Sequence, residues 1–416
     1  MTKLYRSLFS AMSLTFCVLL ASCSAMESSS APKSAASSEA ETSQSAQMTS
    51  TTEKVAKPKS VAYENPVDLD SYQILCQSAQ AENTVSCKKA DFPQQINEKQ
   101  FSVMGFLNET TLLISLHIDD ENDEIGLLPL NQGNIETAQY QKLTAIKENQ
   151  SVTAWNEDYL VIYDMESTDG WFTLSNRDYY LFDIRNRRLG TKFWSSSKDE
   201  NGMLAEGGST NTPLIYENTL YFDDFSINDG ELTVTLYAYD ITQKRITKQY
   251  PECQKPMLMQ DTVLAITQNQ DRKYRKLISL ADQGEAFSCE YGENLMALEV
   301  GCGELYAITS EGIDNTTQLS VTKLQNLTTG IGIAMGNTVF SDLKTGDVFA
   351  VWSNYTANTA VKPAVYDMKS KQLLTVGKQE ELPKNVQFYG YTMGKTALLI
   401  VTDWDHSENQ CYILQM

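Results

Sequence analysis

The chain has 416 residues and a formal net charge of −20, with 53 acidic residues, 33 basic residues and only two histidines. Such an acidic surface repels nucleic acid phosphates and anionic lipid headgroups and favours cations, basic proteins or neutral ligands. Two histidines leave few ways to build a Ser-His-Asp or Cys-His site, and no G-x-S-x-G, HExxH or phosphate-binding glycine loop is present. We therefore expect binding rather than catalysis, and no nucleic acid partner.

Residues 1–22 are predicted to be an export signal. Lys3 and Arg6 precede an apolar run from Leu8 to Leu20, which is too short and too interrupted by serine to span a membrane as a helix. The following Leu20-Ala-Ser-Cys23 resembles the lipobox of bacterial lipoproteins. The resemblance implies that Cys23 is acylated, becomes the mature N-terminus and anchors the chain to the bacterial cell membrane on its extracytoplasmic side.

Residues 23–60 follow as a predicted disordered tether. After Cys23 the segment is dominated by Ser, Ala, Thr, Glu and Lys and has almost no large apolar side chains. It cannot bury enough surface to offset its loss of conformational entropy. As a coil it reaches roughly 30–35 Å.

A short sequence motif, called the repeated phrase below, recurs along residues 101–416. A turn residue and a polar residue, often Thr, are followed by apolar residues, and the copies end at intervals of 42 to 60 residues, at Ile114, Ile162, Phe222, Ile266, Ile308, Val351 and Ile400. Tyr, Val, Ile, Thr and Phe favour strands, and no long segment carries a helical apolar stripe. A recurring β unit of this length is typical of a β-propeller blade. We predict an all-β domain over 61–416, a seven-bladed β-propeller with the phrase as the second strand of each blade.

The predicted third strands carry a further pattern. Tyr179–Asp183, Leu236–Asp240 and Ala364–Asp367 each end in an aspartate before a turn and a fourth strand. The aspartate is expected to accept hydrogen bonds from the turn amides. This hairpin resembles those of bacterial quinoprotein-like and TolB-like propellers. The tryptophan and Gly-Gln signatures of quinoprotein repeats are absent.

The ring needs one more outer strand, because the chain ends on the third strand of the seventh blade, near Cys411. A strand at Tyr72–Cys76 is predicted to fill this position and to remove the exposed sheet edge. A Cys76–Cys411 disulfide would then close the ring, whereas a Cys76–Cys87 disulfide would instead close a local hairpin. Six cysteines of an exported domain allow up to three disulfides, and the sequence does not choose among Cys76, Cys87, Cys253, Cys289, Cys302 and Cys411.

The connections between second and third strands are rich in acidic residues, and both histidines, His117 and His406, lie in or beside them. Asp403, Asp405 and two later oxygen-bearing residues alternate as in calcium loops, without the glycine and final glutamate of an EF-hand. Since the first and seventh blades are neighbours in a closed ring, we consider a calcium site formed by His117, Asp119, Asp403 and Asp405. The alternative is a solvated acidic rim.

Aromatic residues form the second candidate site. Trp171, Trp194, Trp404 and Tyr355 lie in or beside predicted loops on the face of the propeller that carries these acidic connections. Aromatic rings beside carboxylates suit sugar rings or peptide side chains, although the same rings also pack between blades. We expect a monomer that binds an envelope protein, peptide or glycan here. The alternative is a carbohydrate-active enzyme that uses paired carboxylates on this face.

Overall fold

The computed structural model describes most of the chain from residue 84 to residue 415. The described ranges are 84–85, 87–90, 93, 95–131, 134–135, 137–167, 174–196, 212–228, 231–268, 274–282, 285–290, 295–311, 320–326, 332–338, 344–345, 349–352, 364–367, 372–376, 386–394, 396–403 and 408–415. The chain divides into two units, 1–57 and 58–416, and every described residue lies in the second. The predicted signal, tether and 72–76 strand therefore lie outside the described residues. Among these residues, no helix has the length and apolar character needed to cross a bilayer.

The described residues are almost entirely β-strand. Two short strands come first, β1 (Thr84–Val85) and β2 (Cys87–Ala90). The strands of the first sheet are β3 (Gln95–Ile96), β4 (Lys99–Asn108), β5 (Thr111–His117), β6 (Asn122–Asn131), β7 (Asn134–Ile135) and β8 (Gln141–Lys147), with a 3₁₀ turn at Thr137–Gln139. Those of the second are β9 (Gln150–Trp155), β10 (Tyr159–Ser167), β11 (Leu174–Asp183) and β12 (Arg188–Ser195).

The same plan recurs along the chain. The third sheet contains β13 (Leu214–Tyr216), β14 (Thr219–Asn228), β15 (Glu231–Asp240) and β16 (Arg245–Pro251). The fourth contains β17 (Cys253–Met259), β18 (Thr262–Gln268), β19 (Tyr274–Ser279) and β20 (Glu285–Glu290). The fifth contains β21 (Leu295–Gly301), β22 (Glu304–Glu311), β23 (Ser320–Asn326) and β24 (Gly332–Thr338).

The last two sheets incorporate the first two strands of the described chain. The sixth contains β25 (Lys344–Thr345), β26 (Phe349–Trp352), β27 (Ala364–Asp367) and β28 (Gln372–Val376), and β1 pairs with β28 in parallel. The seventh contains β29 (Val386–Met393), β30 (Thr396–Asp403) and β31 (Glu408–Gln415), with β2 antiparallel to β31. The second to fifth sheets are meanders of consecutive antiparallel strands, and each of the other three also contains a pairing between strands that are not consecutive in the chain. The predicted all-β propeller is confirmed, and the repeated phrase forms the second strand of every sheet in the described part of the chain. We call these sheets blades one to seven.

Neighbouring blades pack through apolar side chains. Residues of blades one and two share a buried cluster that includes Leu113, Leu160 and Phe182, and similar clusters join blades two to three, three to four and four to five. Burying each large apolar side chain contributes about 1.5–3 kcal/mol relative to exposure. Between blades five and six, β21 contacts β25, and between blades six and seven, β26 contacts β29.

Blade seven packs against blade one. Leu398, Ile400 and Ile413 of blade seven lie in one buried cluster with residues of β4 and β5. The Tyr391 hydroxyl donates a hydrogen bond to the Val103 carbonyl, with an O···O distance of 2.7 Å. The outer position of blade seven, for which the sequence predicted 72–76, is occupied by β2. A segment close to the N-terminal side of the propeller therefore closes the ring and covers the edge of β31.

The cysteines of the described strands do not form the predicted ring-closing disulfide. Cys411 is buried beside β2, where Ala90 is its register partner, and it carries a free thiol. The Cys76–Cys411 alternative is therefore wrong, because hydrogen bonds and apolar packing close this blade. Cys253 is also buried and free. Burial raises the pKa of the Cys253 thiol to about 11 and that of Cys411 to about 12. Cys76 lies outside the described residues.

The predicted aspartate turns are present in the second and third blades. The Asp183 carboxylate accepts hydrogen bonds from the backbone N–H and the side-chain amide of Asn186, both at 2.9 Å. Asp240 accepts a hydrogen bond from the Gln243 backbone N–H at 2.7 Å. Burial raises the pKa of Asp183, but the hydrogen bonds from Asn186 outweigh it, so the pKa lies below its ordinary value.

The meander gives the propeller two unlike faces. Turns between first and second strands and between third and fourth strands lie on one face, which we call the hairpin face. Connections between second and third strands and between successive blades lie on the other, which we call the loop face. The sequence places its candidate sites on the loop face.

Candidate ligand-binding face

Two residues of the predicted calcium site are described with their side chains. Asp119 follows β5 and accepts hydrogen bonds from the side-chain amide of Asn122 at 2.9 Å and the backbone N–H of Glu121 at 3.0 Å. These bonds, that from Asn122 first, hold the pKa of Asp119 below its ordinary value. His117 adds a smaller electrostatic contribution that also lowers the pKa of Asp119.

His117 has a carboxylate partner of its own. Its Nδ1 atom lies 3.1 Å from an Oδ atom of Asp123, the residue opposite it in register on β6, and the Ser115 hydroxyl donates to the other oxygen at 3.0 Å. Asp403 ends β30, its side chain is not described, and Asp405 lies outside the described residues. Among the residues that are described, no group of three or more His, Cys, Asp or Glu side chains could hold a metal. The calcium site stays a prediction.

Among the predicted aromatic residues, the structure describes Trp194. Trp171, Tyr355 and Trp404 lie outside the described residues. The Trp194 ring centroid lies 4.3 Å from that of Tyr237 and 5.4 Å from that of Phe222, in an edge-on arrangement with the latter. Trp194 thus packs between blades two and three. Its role as a ligand platform stays a prediction.

A buried polar cluster lies at the loop-face end of this same interface. Leu220, Phe222 and Asp224 alternate along β14, and side chains two residues apart on a strand share a face. Leu220 and Phe222 pack in the apolar cluster with blade two, so Asp224 also faces blade two. The Trp194 indole N–H donates to one Asp224 oxygen at 3.0 Å, and the Ser196 hydroxyl donates to the other at 2.9 Å.

Arg177 is the cation of this cluster. It lies on β11 in the same alternation as buried Tyr179, which directs it toward blade three. Its side chain is 2% exposed, and its Nη1 atom lies 3.8 Å from an oxygen of Asp224, which is 4% exposed. The guanidinium carbon lies 6.0 Å from the ring centroid of Tyr163, a cation–π distance. Burial raises the pKa of Tyr179, and the charge of Arg177 opposes this shift.

The hydrogen bonding of Arg177 is incomplete. Its Nε and Nη1 atoms are buried and have no hydrogen-bond partner within the described part of the chain. Buried polar groups are nearly always paired, and an unpaired one costs about 1–3 kcal/mol, more when it is charged. Two nitrogen donors of a buried cation are therefore available to acceptors at this end of the interface.

Arg177 is not among the residues predicted from the sequence, since those candidates are acidic and aromatic residues of the loops. The period-two pattern of β11 contains the missing signal. Arg177, Tyr179 and Leu181 are alternate residues of β11 and lie on the same face of the strand, where an apolar residue is expected. A charged residue at such a position is a candidate for a buried ion pair or a site.

Asp223 and Asp224 are adjacent but serve different interfaces. Since alternate side chains on a strand point to opposite faces, Asp223 faces blade four. One of its oxygens accepts a hydrogen bond from the backbone N–H of Lys255 at 2.6 Å. The two carboxylates therefore cannot act as a pair.

Asp164 and Asp178 are two carboxylates directly opposite in register on β10 and β11, and the enzyme alternative is compared with them. The side-chain amides of Asn149 and Gln150 donate to the two oxygens of Asp164, at 2.6 and 2.7 Å. For Asp178, the donors are the Ser195 hydroxyl at 2.6 Å and the Lys192 ammonium group at 3.0 Å. Every oxygen of the pair already accepts a hydrogen bond.

No family model matches the chain. No curated protein is significantly similar to it. Solved structures with a similar fold include the protein lmo1340 of Listeria monocytogenes EGD-e, at 13% identity and a TM-score of 0.47, covering 76% of this chain and 95% of that one. The β-propeller domain of the Trilobed protease from Pyrococcus furiosus has 8% identity, a TM-score of 0.46 and coverages of 76% and 95%. TolB from Acinetobacter baumannii has 8% identity, a TM-score of 0.33 and coverages of 72% and 78%. These similarities carry no argument about function.

Proposed function

We propose that this protein is an extracytoplasmic lipoprotein, anchored to the bacterial cell membrane through Cys23, whose propeller binds a protein, peptide or glycan without catalysing a reaction. The lipobox resemblance of Leu20–Cys23 and the polar composition of 23–60 support the anchor and the tether. The propeller supplies a rigid frame for loops, which is where such folds place their binding residues.

The observation that carries the binding proposal is the incomplete hydrogen bonding of Arg177. Its Nε and Nη1 atoms lack partners within the described residues and lie at the loop-face end of the interface between blades two and three. Ligand oxygens that accept hydrogen bonds from these two nitrogens, one at each, would remove the cost of leaving them unpaired.

The surrounding charges select the chemistry of that ligand. Asp224 already balances the charge of Arg177, and the overall protein is strongly acidic. A ligand carboxylate would add a second negative charge beside Asp224, whereas a carbonyl or hydroxyl oxygen would add none. Peptide carbonyls and the amide and hydroxyl groups of sugars therefore fit best.

The alternative is a carbohydrate-active enzyme. Asp164 and Asp178 are opposed, as two catalytic carboxylates would be, but hydrogen bonds engage all four of their oxygens. A general acid needs a carboxyl group that can hold and transfer a proton to the leaving group. Lys192 and Ser195 already donate to Asp178 from the protein, so this pair is better suited to joining strands.

The binding proposal is tested by thermal unfolding of the full chain with N-acetylglucosaminyl-N-acetylmuramic acid, with and without its peptide stem. A ligand that binds the folded state alone stabilises it by about 2.7 kcal/mol at a hundredfold excess over its dissociation constant. We expect at least one probe to raise the unfolding midpoint and Ser196→Ala, which disturbs Asp224 but keeps both charges, to reduce that rise. Lys147→Gln, on β8, is the control.

A rise in midpoint that is unchanged in Ser196→Ala and in Arg177→Gln would place binding elsewhere and contradict the assignment to Arg177. No rise with either probe would overturn the proposal that the propeller binds these envelope components. Release of free sugar during incubation, lost in Asp178→Asn, would instead support the enzyme alternative.

A further inference from the structure

The outer strands of blades two and three carry a concentration of positive charge that the net charge of −20 conceals. Residues 184–195 cover the last hairpin of blade two and residues 241–251 that of blade three. The two segments contain seven cations, Arg185, Arg187, Arg188, Lys192, Lys244, Arg245 and Lys248, and the acidic residues that flank them directly are Asp183, Asp240 and Glu252. We call this surface the basic rim.

The two halves of the basic rim are neighbours in the fold. The hairpins that contain Arg187 and Lys244 both join a third strand to a fourth strand, so both lie on the hairpin face. Blades two and three pack directly against each other through a shared apolar cluster. The same topological position in adjacent blades therefore brings the two sets of cations to one side of the propeller.

The cations of the basic rim are exposed, and several lack an acidic partner. Arg185 is paired with Asp158 at 2.6 Å and Lys192 with Asp178 at 3.0 Å. Arg187, Arg188, Lys244 and Lys248 are exposed and form no ion pair with a described carboxylate. Their charge is available to an anionic partner.

An exposed apolar side chain lies among these cations. Leu189 directly follows Arg188 on β12 and is 48% exposed, the only large hydrophobic residue with that degree of exposure among those whose side chains the structure describes. Cations that neighbour an exposed apolar residue along a strand match the boundary between anionic headgroups and acyl chains. An acidic protein surface would use the charges but would have no need of Leu189.

From these observations, we infer that the basic rim binds an anionic phospholipid surface. The composition predicted repulsion from such a surface. Charges separated by more than about 8 Å are largely screened at physiological salt, however, so a local group of cations acts independently of acidic residues on the opposite face. Binding through the rim would direct the hairpin face and outer edge of blades two and three toward the bilayer and leave the loop face accessible. The inference does not depend on acylation of Cys23.

A simpler role is possible for the same residues. β12 and β16 are the outermost strands of their sheets in the described structure, and charged side chains on outer strands prevent pairing between sheets of different molecules. This role predicts aggregation of neutralised variants and no preference for anionic vesicles, so the two roles are distinguishable.

The test uses the full chain with Cys23→Ser, so that no acyl anchor contributes, in flotation with vesicles of phosphatidylcholine alone or with about one third phosphatidylglycerol. Neutral vesicles report any insertion through the apolar 8–20 segment. We expect binding to anionic vesicles above this background at about 20 mM salt and its loss at about 500 mM salt, where screening is strong.

Two variants of the basic rim and one control complete the experiment. Each Lys or Arg near an anionic surface strengthens binding about fivefold, so a variant with Arg187→Gln, Arg188→Gln, Lys244→Gln and Lys248→Gln should bind roughly 600-fold less tightly. Leu189→Ser should weaken binding and leave its salt dependence unchanged. Lys99→Gln, on the first strand of blade one, should bind as the parent does.

Three results would overturn the inference. These are equal binding to neutral and anionic vesicles, unchanged binding by the fourfold variant, and aggregation of that variant without loss of vesicle binding. If soluble polyphosphate binds as tightly as the vesicles do and Leu189→Ser has no effect, the rim recognises an acidic polymer rather than a lipid surface. Each result concerns the rim alone, and the glycan and peptide assay of the loop face is unaffected by it.

Discussion

The buried pair of Arg177 and Asp224 offers the sharpest test of how blades two and three are joined. Asp224→Asn keeps the shape of the side chain and removes its charge. Trp194 and Ser196 donate to the two carboxylate oxygens, so the amide group of Asn would leave one donor without an acceptor. The charge of Arg177, 2% exposed, would also lose its counter-ion.

The expected cost follows from the separation and the burial. Two unit charges 3.8 Å apart attract by about 4 kcal/mol at an effective dielectric constant of about 20. Removal of one partner from a buried ion pair costs about 3–5 kcal/mol, because the remaining charge stays desolvated. We therefore expect Asp224→Asn to lower the free energy of unfolding by about 4 kcal/mol.

The assay is urea unfolding of the full chain at neutral pH, followed by tryptophan fluorescence, with the slope of the transition compared between variants. Asp223→Asn is the matched control, since Asp223 is adjacent and equally buried but accepts a backbone N–H from blade four. Its amide oxygen can still accept that bond, so it should cost about 1 kcal/mol. The double variant Arg177→Met/Asp224→Asn should be more stable than Asp224→Asn alone.

The reasoning fails if Asp224→Asn costs less than about 1 kcal/mol. It also fails if the effects of Arg177→Met and Asp224→Asn add within about 0.5 kcal/mol, because coupled neighbours deviate from additivity by more than that. Either result would mean that solvent or another residue compensates the charge of Arg177.

Three further predictions follow from single contacts. A β-carbon on Gly105 would lie 2.6 Å from the Trp155 ring, whose N–H donates to the Phe106 carbonyl across the first interface, so Gly105→Ala should cost about 2–4 kcal/mol in urea unfolding. Recovery of less than half of that cost in Gly105→Ala/Trp155→Phe would count against the clash. The raised pKa values of Cys253 and Cys411 favour the neutral thiol in the folded state. The contribution of these thiols to stability is therefore present below about pH 9 and decreases between about pH 9 and 12. Rapid alkylation of either thiol in native protein, mapped by mass spectrometry, would refute their burial. Asp183→Ala should lower the unfolding midpoint slightly, by about 1 kcal/mol in free energy, and calorimetry would contradict the turn if Asp183→Asn had the larger effect.

Much of the propeller was predictable because the sequence patterns that specify its strands and turns are local. The repeated phrase that ends at Phe222 forms part of β14. Its apolar residues favour a strand through their spacing along the chain, without reference to distant residues. The turn at Asp183 depends on hydrogen bonds within three residues. Patterns that span only a few residues can be recognised in the sequence without knowledge of tertiary contacts.

The strand that closes the ring by pairing with β31 could not be identified from the sequence in the same way. The sequence predicted a strand at 72–76 and none at 87–90, and the pairing of 87–90 with β31 depends on a register that no local pattern specifies. The free thiol of Cys411 has the same origin, since a disulfide requires a partner that only the tertiary structure can position.

The sequence by itself determined the repeating β unit, the acidic composition, the lipobox resemblance and the aspartate turns, because each is a matter of composition or short spacing. Only the tertiary structure decided that Asp224 meets Arg177, that Asp223 one residue earlier faces another blade, and that two basic hairpins fall side by side. These juxtapositions join residues tens of positions apart in the chain. They arise from the order and packing of blades, which no local pattern specifies.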